Sequence, residues 1–232
     1  METGTLAILT FGFILGMKHA LDVDHVTAVT TMLSKNKSIF KAGRTGILWG
    51  IGHTTTLLLA GILVLGFKLN ISERLALSME LLVGVVLVLL GVPIVRTYVK
   101  KRLHFHTHRH GNKVHFHVHS HDEIEDHQHS HGFKSLFVGM VHGMAGSAAL
   151  MLAILTTTGS LLEGISYIFI FSLGSILGML IFSGILGIPF ILAEKHHSRV
   201  SEAIKLTAGL ISVGLGTMII WEIGVTQGLL FG

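Results

Sequence analysis

Half of the 232 residues are hydrophobic and only 13% are charged, with a formal net charge of +4. A soluble domain carries about 25% charged residues, and the apolar residues here fall in runs of the roughly 20 that a hydrocarbon core about 30 Å thick demands of a spanning helix, so a soluble core protein is excluded. Lys and Arg sit in short connections between the runs, where they report topology rather than nucleic-acid binding, and the absence of cysteine removes disulfides, thiolate metal sites and thiol relays.

The pattern predicts an all-α polytopic membrane protein with six transmembrane helices, over 4–33, 43–67, 75–99, 134–160, 164–192 and 199–228. The first is expected to be a retained span and not a signal peptide. It lacks a basic n-region and runs into a charged motif with no small-residue cleavage site. The first, fourth and fifth exceed the length a span needs and are expected to tilt or break. The connections alternate in charge. The first carries Lys35, Lys37, Lys41 and Arg44, the third Lys100, Lys101, Arg102, Arg109 and Lys113, and the fifth Lys195 and Arg199. The second holds only Lys68 and Arg74, and the fourth neither Lys nor Arg. The positive-inside rule then puts connections one, three and five in the cytoplasm and both termini outside, in a cell inner membrane.

Three sections follow: residues 1–99, a histidine-rich loop over 100–132, and residues 133–232. The outer two look like copies. Gly16-Met17-Lys18-His19 matches Gly139-Met140-Val141-His142 at an offset of 123, Gly52-His53 matches Gly174-Ser175 at 122, and Gly84 and Gly91 match Gly209 and Gly216 at 125. Three helices per copy is an odd number, so the second copy is expected upside down relative to the first. Inverted repeats of this kind belong to secondary transporters, with the site near the midplane between them.

The segment His19-Ala20-Leu21-Asp22-Val23-Asp24-His25 lies within the first span. An aspartate at membrane depth costs about 2.5–3.5 kcal/mol, so the pair costs about 5–7 kcal/mol. A divalent cation would offset that charge. At about 100° per residue His19, Asp22 and His25 share a face of a regular helix, with Asp24 on the other side. If the helix unwinds, all four converge, and Gly16, Gly143 and Gly146 are candidate break points. Imidazole and carboxylate donors suit Ni²⁺, Co²⁺ or Zn²⁺ and argue against Cu(I).

His53, in Gly52-His53-Thr54-Thr55-Thr56, is either a ligand or gate, or a hydrogen-bonding group between helices. His142, the counterpart of His19, is either part of the metal route or close small-residue packing. The threonines 54–56 and 156–158 are expected to bond back to helix carbonyls, and Glu80, Glu163 and Glu222 to be solvated near outer ends of spans.

HALDVDH (His19–His25) followed by GHTTT (Gly52–Thr56) resembles the nickel/cobalt transporter (NiCoT) family. HGMAGSAAL (His142–Leu150) looks like its six-span branch, which includes urease-accessory nickel permeases. The resemblance covers most of both halves except the histidine loop, and implies that His19, Asp22, Asp24, His25 and His53 handle metal. The longer permeases have eight spans and an aspartate-rich motif in the second half, both lacking here. Related efflux proteins also carry a histidine-rich loop.

That loop holds His104, His106, His108, His110, His115, His117, His119, His121, His127, His129 and His131. Alternation by two does not stack on one helical face, so the segment is expected to be extended or disordered. With ordinary pKa values of about 6.5, its rings are mostly neutral at cytosolic pH and suit multidentate metal binding.

The leading expectation is a secondary permease bringing Ni²⁺, or Co²⁺, into the cytoplasm. The metal is cargo and no cofactor is expected; cytosolic metallochaperones of urease or hydrogenase maturation are candidate partners, and nucleic acid is not. One rival is proton-coupled efflux of the same ions. A rival of another class is a membrane metalloenzyme, against which the small intramembrane ligand set counts.

Overall fold

In lipid, every backbone N–H and C=O must find its partner within the protein, which leaves helices as the economical answer to long apolar runs. The computed structural model describes residues 3–34, 38–67, 69, 71–103, 106–110, 113–117, 131–145, 160–196 and 198–230. Its elements are α1 (Thr3–His19), α2 (Val23–Leu33), α3 (Ile39–Phe67), α4 (Glu73–Leu103), β1 (His106–His110), β2 (Lys113–His117), α5 (His131–Ala145), α6 (Leu161–His196), α7 (Ser198–Trp221) and a single π turn over Glu222–Thr226. Among the described residues four stretches are long and apolar enough to cross a membrane: Ile39–Phe67, Glu73–Lys100, Leu161–Lys195 and Arg199–Thr226.

The first expected span is two helices, α1 and α2, with a break between them. For the fourth only α5 is described; residues 146–159 lie outside the described set. The fifth does not break. α6 is one helix of 36 residues with Pro189 inside it, about 54 Å at 1.5 Å per residue. That exceeds the bilayer including headgroups, about 40–45 Å, so it tilts or projects. Helices α4 and α5 both reach into the stretch expected as loop, ending at Leu103 and starting at His131. Between them β1 and β2 form an antiparallel hairpin that sets His106 opposite His117 and His108 opposite His115.

Helix α3 packs on α5 and α6, α1 packs on α6, and α4 packs on α7, while α2 wedges against α4, α6 and α7. The crossings are made by glycine. A side chain at Gly16 would collide with the Phe171 carbonyl, one at Gly139 with the Trp49 carbonyl, one at Gly52 with the Leu136 carbonyl and one at Gly174 with the Phe13 carbonyl. Small residues at such crossings let backbones approach closely enough for dispersion to hold helices together in lipid. These four contacts are reciprocal. The offset of 123 carries Gly16 to Gly139 and Phe13 to Leu136, and that of 122 carries Trp49 to Phe171 and Gly52 to Gly174. The α4–α7 pair repeats the pattern. A Cβ on Gly84 would stand 3.0 Å from the Gly216 carbonyl and one on Gly91 2.6 Å from that of Gly209. The offset of 125 exchanges those two contacts.

Candidate metal centre

The break in the first span follows from where Asp22 sends its carboxylate. Leu21 and Asp22 donate their amides to the Lys18 and His19 carbonyls at 2.9 and 3.0 Å, tightening the end of α1. Asp22 then leaves helical geometry (φ −58°, ψ 144°) and stands at the N-cap of α2, yet its side chain makes no capping bond. Instead Asp22 Oδ2 lies 2.6 Å from His19 Nδ1. Asp24, in the first turn of α2, sits where a helix N-terminus favours negative charge. The expected break points are not used. Gly16 and Gly143 are helical positions where backbones cross, Gly143 against the His53 carbonyl, and Gly146 lies outside the described residues.

The turn brings four elements to one place. His19 closes α1, His25 lies in the first turn of α2, His53 comes from α3 and His142 from α5. His25, His53 and His142 are 2%, 0% and 1% exposed. His19 Nε2 faces His53 Nε2 at 3.2 Å, and the His25 ring centre lies 4.6, 5.3 and 5.4 Å from those of His19, His53 and His142. One donor atom each from His19, His25 and His53 fall within 4.8 Å of one another, and so do donors from Asp22, Asp24 and His25. A regular helix would have turned Asp24 away. The break instead sets Asp24 Oδ1 3.0 Å from His25 Nδ1, and His25 links the imidazole group to the carboxylate group.

The ring nitrogens are left open. Among the described residues, Nε2 of His25 and Nδ1 of His53 have no hydrogen-bond partner, and Nδ1 of His25 has only the Asp24 carboxylate at 3.0 Å. His142 Nδ1 donates to the Val138 carbonyl at 2.9 Å, which places a proton on that nitrogen and leaves Nε2 without a partner among the described residues. Orienting one ring nitrogen on a backbone carbonyl is how proteins prepare the other as a metal ligand. An unsatisfied buried polar atom costs about 1–3 kcal/mol, so a group with this many open nitrogens fits a bound cation. His142 stands one ring beyond the tighter set.

Trp49, unremarked in sequence, stacks on His53 with centres 5.2 Å apart and planes 15° apart. Its position four residues before His53, one turn up the same helix face, was the available signal. The threonines are mixed. Thr55 bonds back to the Ile51 carbonyl at 2.8 Å, and Thr56 reaches the His53 and Met140 carbonyls, both at 3.0 Å. Thr54 Oγ1 is buried without a partner among the described residues; residues 156–158 lie outside the described set. Ser175, aligned with His53, is also buried, its hydroxyl unpartnered among the described residues.

A cavity of about 360 Å³ opens beside the cluster. His19, Asp22, Asp24 and His25 line it together with Glu80 and Glu222, both of them exposed, as expected of solvated span ends. Of the loop histidines, His106, His108, His110, His115 and His117 lie on the hairpin and His131 opens α5. His104, His119, His121, His127 and His129 lie outside the described residues.

The family model described as the cytochrome c biogenesis protein transmembrane region matches residues 7–218. The chain is 39% identical to the urease accessory protein UreH of Bacillus sp. (strain TB-90) over 228 residues, covering 98% of this chain and 96% of that one. Two Arabidopsis thaliana proteins, the chloroplast proteins FOR GROWTH AND FERTILITY 2 and 1, are 25% and 24% identical over 95% and 94% of this chain, which spans 58% and 60% of theirs. No solved structure matches. These similarities and the long apolar helices make the chain a multi-pass membrane protein that is not an enzyme.

Proposed function

The chain belongs to the family of the cytochrome c biogenesis protein transmembrane region, and from that footing we propose that it is a secondary permease carrying divalent transition-metal ions, Ni²⁺ first and Co²⁺ second, into the cytoplasm. With no cysteine, it has no thiol to exchange. The observation that carries the reading is the ligand set at the break: three imidazoles and two acids, with His25 common to both groups. Borderline donors of this kind suit Ni²⁺ and Co²⁺. The UreH relative supports nickel in particular, because urease is a nickel enzyme whose maturation needs the ion in the cytoplasm. The likeness of HALDVDH and GHTTT to nickel/cobalt permeases agrees.

The reciprocal glycine contacts support reading the chain as two inverted three-helix repeats making six spans, with residues 1–99 and 133–232 as the copies and 100–132 between them. The metal site then lies near the midplane, where α1 breaks and α3 and α5 meet it. The lysine-rich connections support a cytoplasmic histidine loop, which would buffer incoming metal or pass it to a metallochaperone. A doubly charged ion entering down about 100 mV gains roughly 4.6 kcal/mol, enough for more than 10³-fold accumulation. In this picture Asp22 and Asp24 offset the charge of the dehydrated ion, and His19, His25 and His53 are its directional donors, with His142 at the next step.

The test is uptake by proteoliposomes containing the full chain. An inside-negative potential should drive Ni²⁺ accumulation, Co²⁺ should compete better than Zn²⁺, and His25→Ala should cut the rate by at least about ten-fold. Uptake by His25→Ala at the wild-type rate would falsify the assignment. Transport driven by a pH gradient and opposed by the potential would reverse the direction.

A further inference from the structure

Glu80 does not sit at the end of its helix. It lies seven residues past Glu73, about 10 Å along α4, within the apolar stretch Glu73–Lys100. Helices α4 and α7 run antiparallel, with Gly84 against Gly216 and Gly91 against Gly209. Continuing that register by one turn brings Glu80 level with Ile220 to Glu222, at the same end of the pair. Glu222 opens the π turn, closed by the Gln227 amide on the Glu222 carbonyl at 2.9 Å. Such wide turns recur at functional sites.

Both glutamates line the cavity that reaches Asp22, Asp24 and His25, and the lining contains no Lys or Arg. Four carboxylates thus share about 360 Å³. The two aspartates have imidazoles beside them, whereas neither glutamate has an ion-pair partner among the described residues. The cavity also has a polar group waiting in its wall: His25, 2% exposed, whose Nε2 has no hydrogen-bond partner among the described residues. Acids within membrane helices face water-filled cavities and mark ion paths, and a cleft lined by charges of one sign concentrates counter-ions by about 10–10³-fold.

We propose that Glu80 and Glu222 form a second, outer divalent-cation site, a vestibule that gathers the hydrated ion and feeds it to the Asp22/Asp24/His25 end of the metal centre. Its role in transport rests on the permease reading; its capacity to hold a cation does not. All-oxygen donors with room for water match a hard or fully hydrated ion, so the vestibule is less selective than the imidazole site behind it.

Mn²⁺, which favours carboxylate and water, is the probe. Bound Mn²⁺ is counted by electron paramagnetic resonance on the full chain in nanodiscs, and Ni²⁺ uptake is measured in proteoliposomes. The double variant Glu80→Gln/Glu222→Gln should lose about one weakly bound Mn²⁺ per chain. Its half-saturating Ni²⁺ concentration should rise about ten-fold, the low end of single-sign focusing, and the fall of wild-type uptake with added salt should flatten. Glu80→Asp/Glu222→Asp should restore both. Glu73→Gln, which removes a nearby charge outside the cavity, should change neither. A double Gln variant that keeps the wild-type Mn²⁺ count overturns the vestibule while leaving the permease reading intact. Loss of that Mn²⁺ in a protein whose wild type carries no Ni²⁺ upholds the vestibule and overturns the permease.

Discussion

Asp22 grips His19 through Nδ1, and that single contact decides which nitrogen the ring can offer. Nε2 is left facing His53 Nε2 at 3.2 Å, the carboxylate–histidine–metal order found around protein-bound metals. Asp22→Asn should therefore weaken the site without erasing it, raising the half-saturating Ni²⁺ concentration for uptake by about 10–100-fold. A value matching wild type would show that the carboxylate does not orient His19. The donor types at His19, Asp22, Asp24, His25 and His53 were readable in the sequence because charge in an apolar run is expensive and has to be accounted for. The place of Asp24 was left open, since a regular helix turns it away and an unwound one lets it converge; the diversion of Asp22 from capping to His19 sets it beside His25.

At the scale of elements, the glycines carry the architecture. Gly16, Gly139, Gly52 and Gly174 each meet the carbonyl of a crossing helix, and backbone cannot swing aside as a side-chain tip can. Gly16→Val should destabilise the chain by about 1–3 kcal/mol or more, as overpacking does, whereas Gly214→Ala, where nothing lies within 4 Å of the added methyl, should leave stability nearly unchanged. Thermal unfolding in one detergent, followed by a fluorescent reporter, compares the two. Equal melting temperatures would mean that the crossings are looser than they stand here. The segment expected as the first span breaks at Ala20–Asp22 and not at glycine, for the same reason: the glycines are occupied in packing, and the polar residues supply the bend. The fifth, α6, stays whole through Pro189, where length alone left tilting and breaking both open.

For the whole molecule, the question is which side the vestibule faces. On the proposed topology, with connection one cytoplasmic, Glu80 and Glu222 open outward, as uptake requires. The chain lacks cysteine, so single replacements report orientation cleanly. A membrane-impermeant maleimide should label Ser72→Cys in intact cells and Ser38→Cys only after permeabilisation. The opposite pattern would turn the protein over, set the vestibule on the cytoplasmic side and favour efflux.

Read alone, the 232 residues determined that the protein lives in a membrane, roughly where its helices run, which imidazole and carboxylate donors fall inside an apolar run and which glycines correspond between halves. Lipid makes those features local, since a span needs a set length and an ionisable group within it needs a reason. The tertiary structure decided the rest: the break that turns Asp24 inward, the stacking of Trp49 on His53, and the meeting of Glu80 and Glu222 with Asp22 across one cavity. The first two are local, but the last joins positions two hundred residues apart, and it depends on how closely two helices cross, which no single segment encodes.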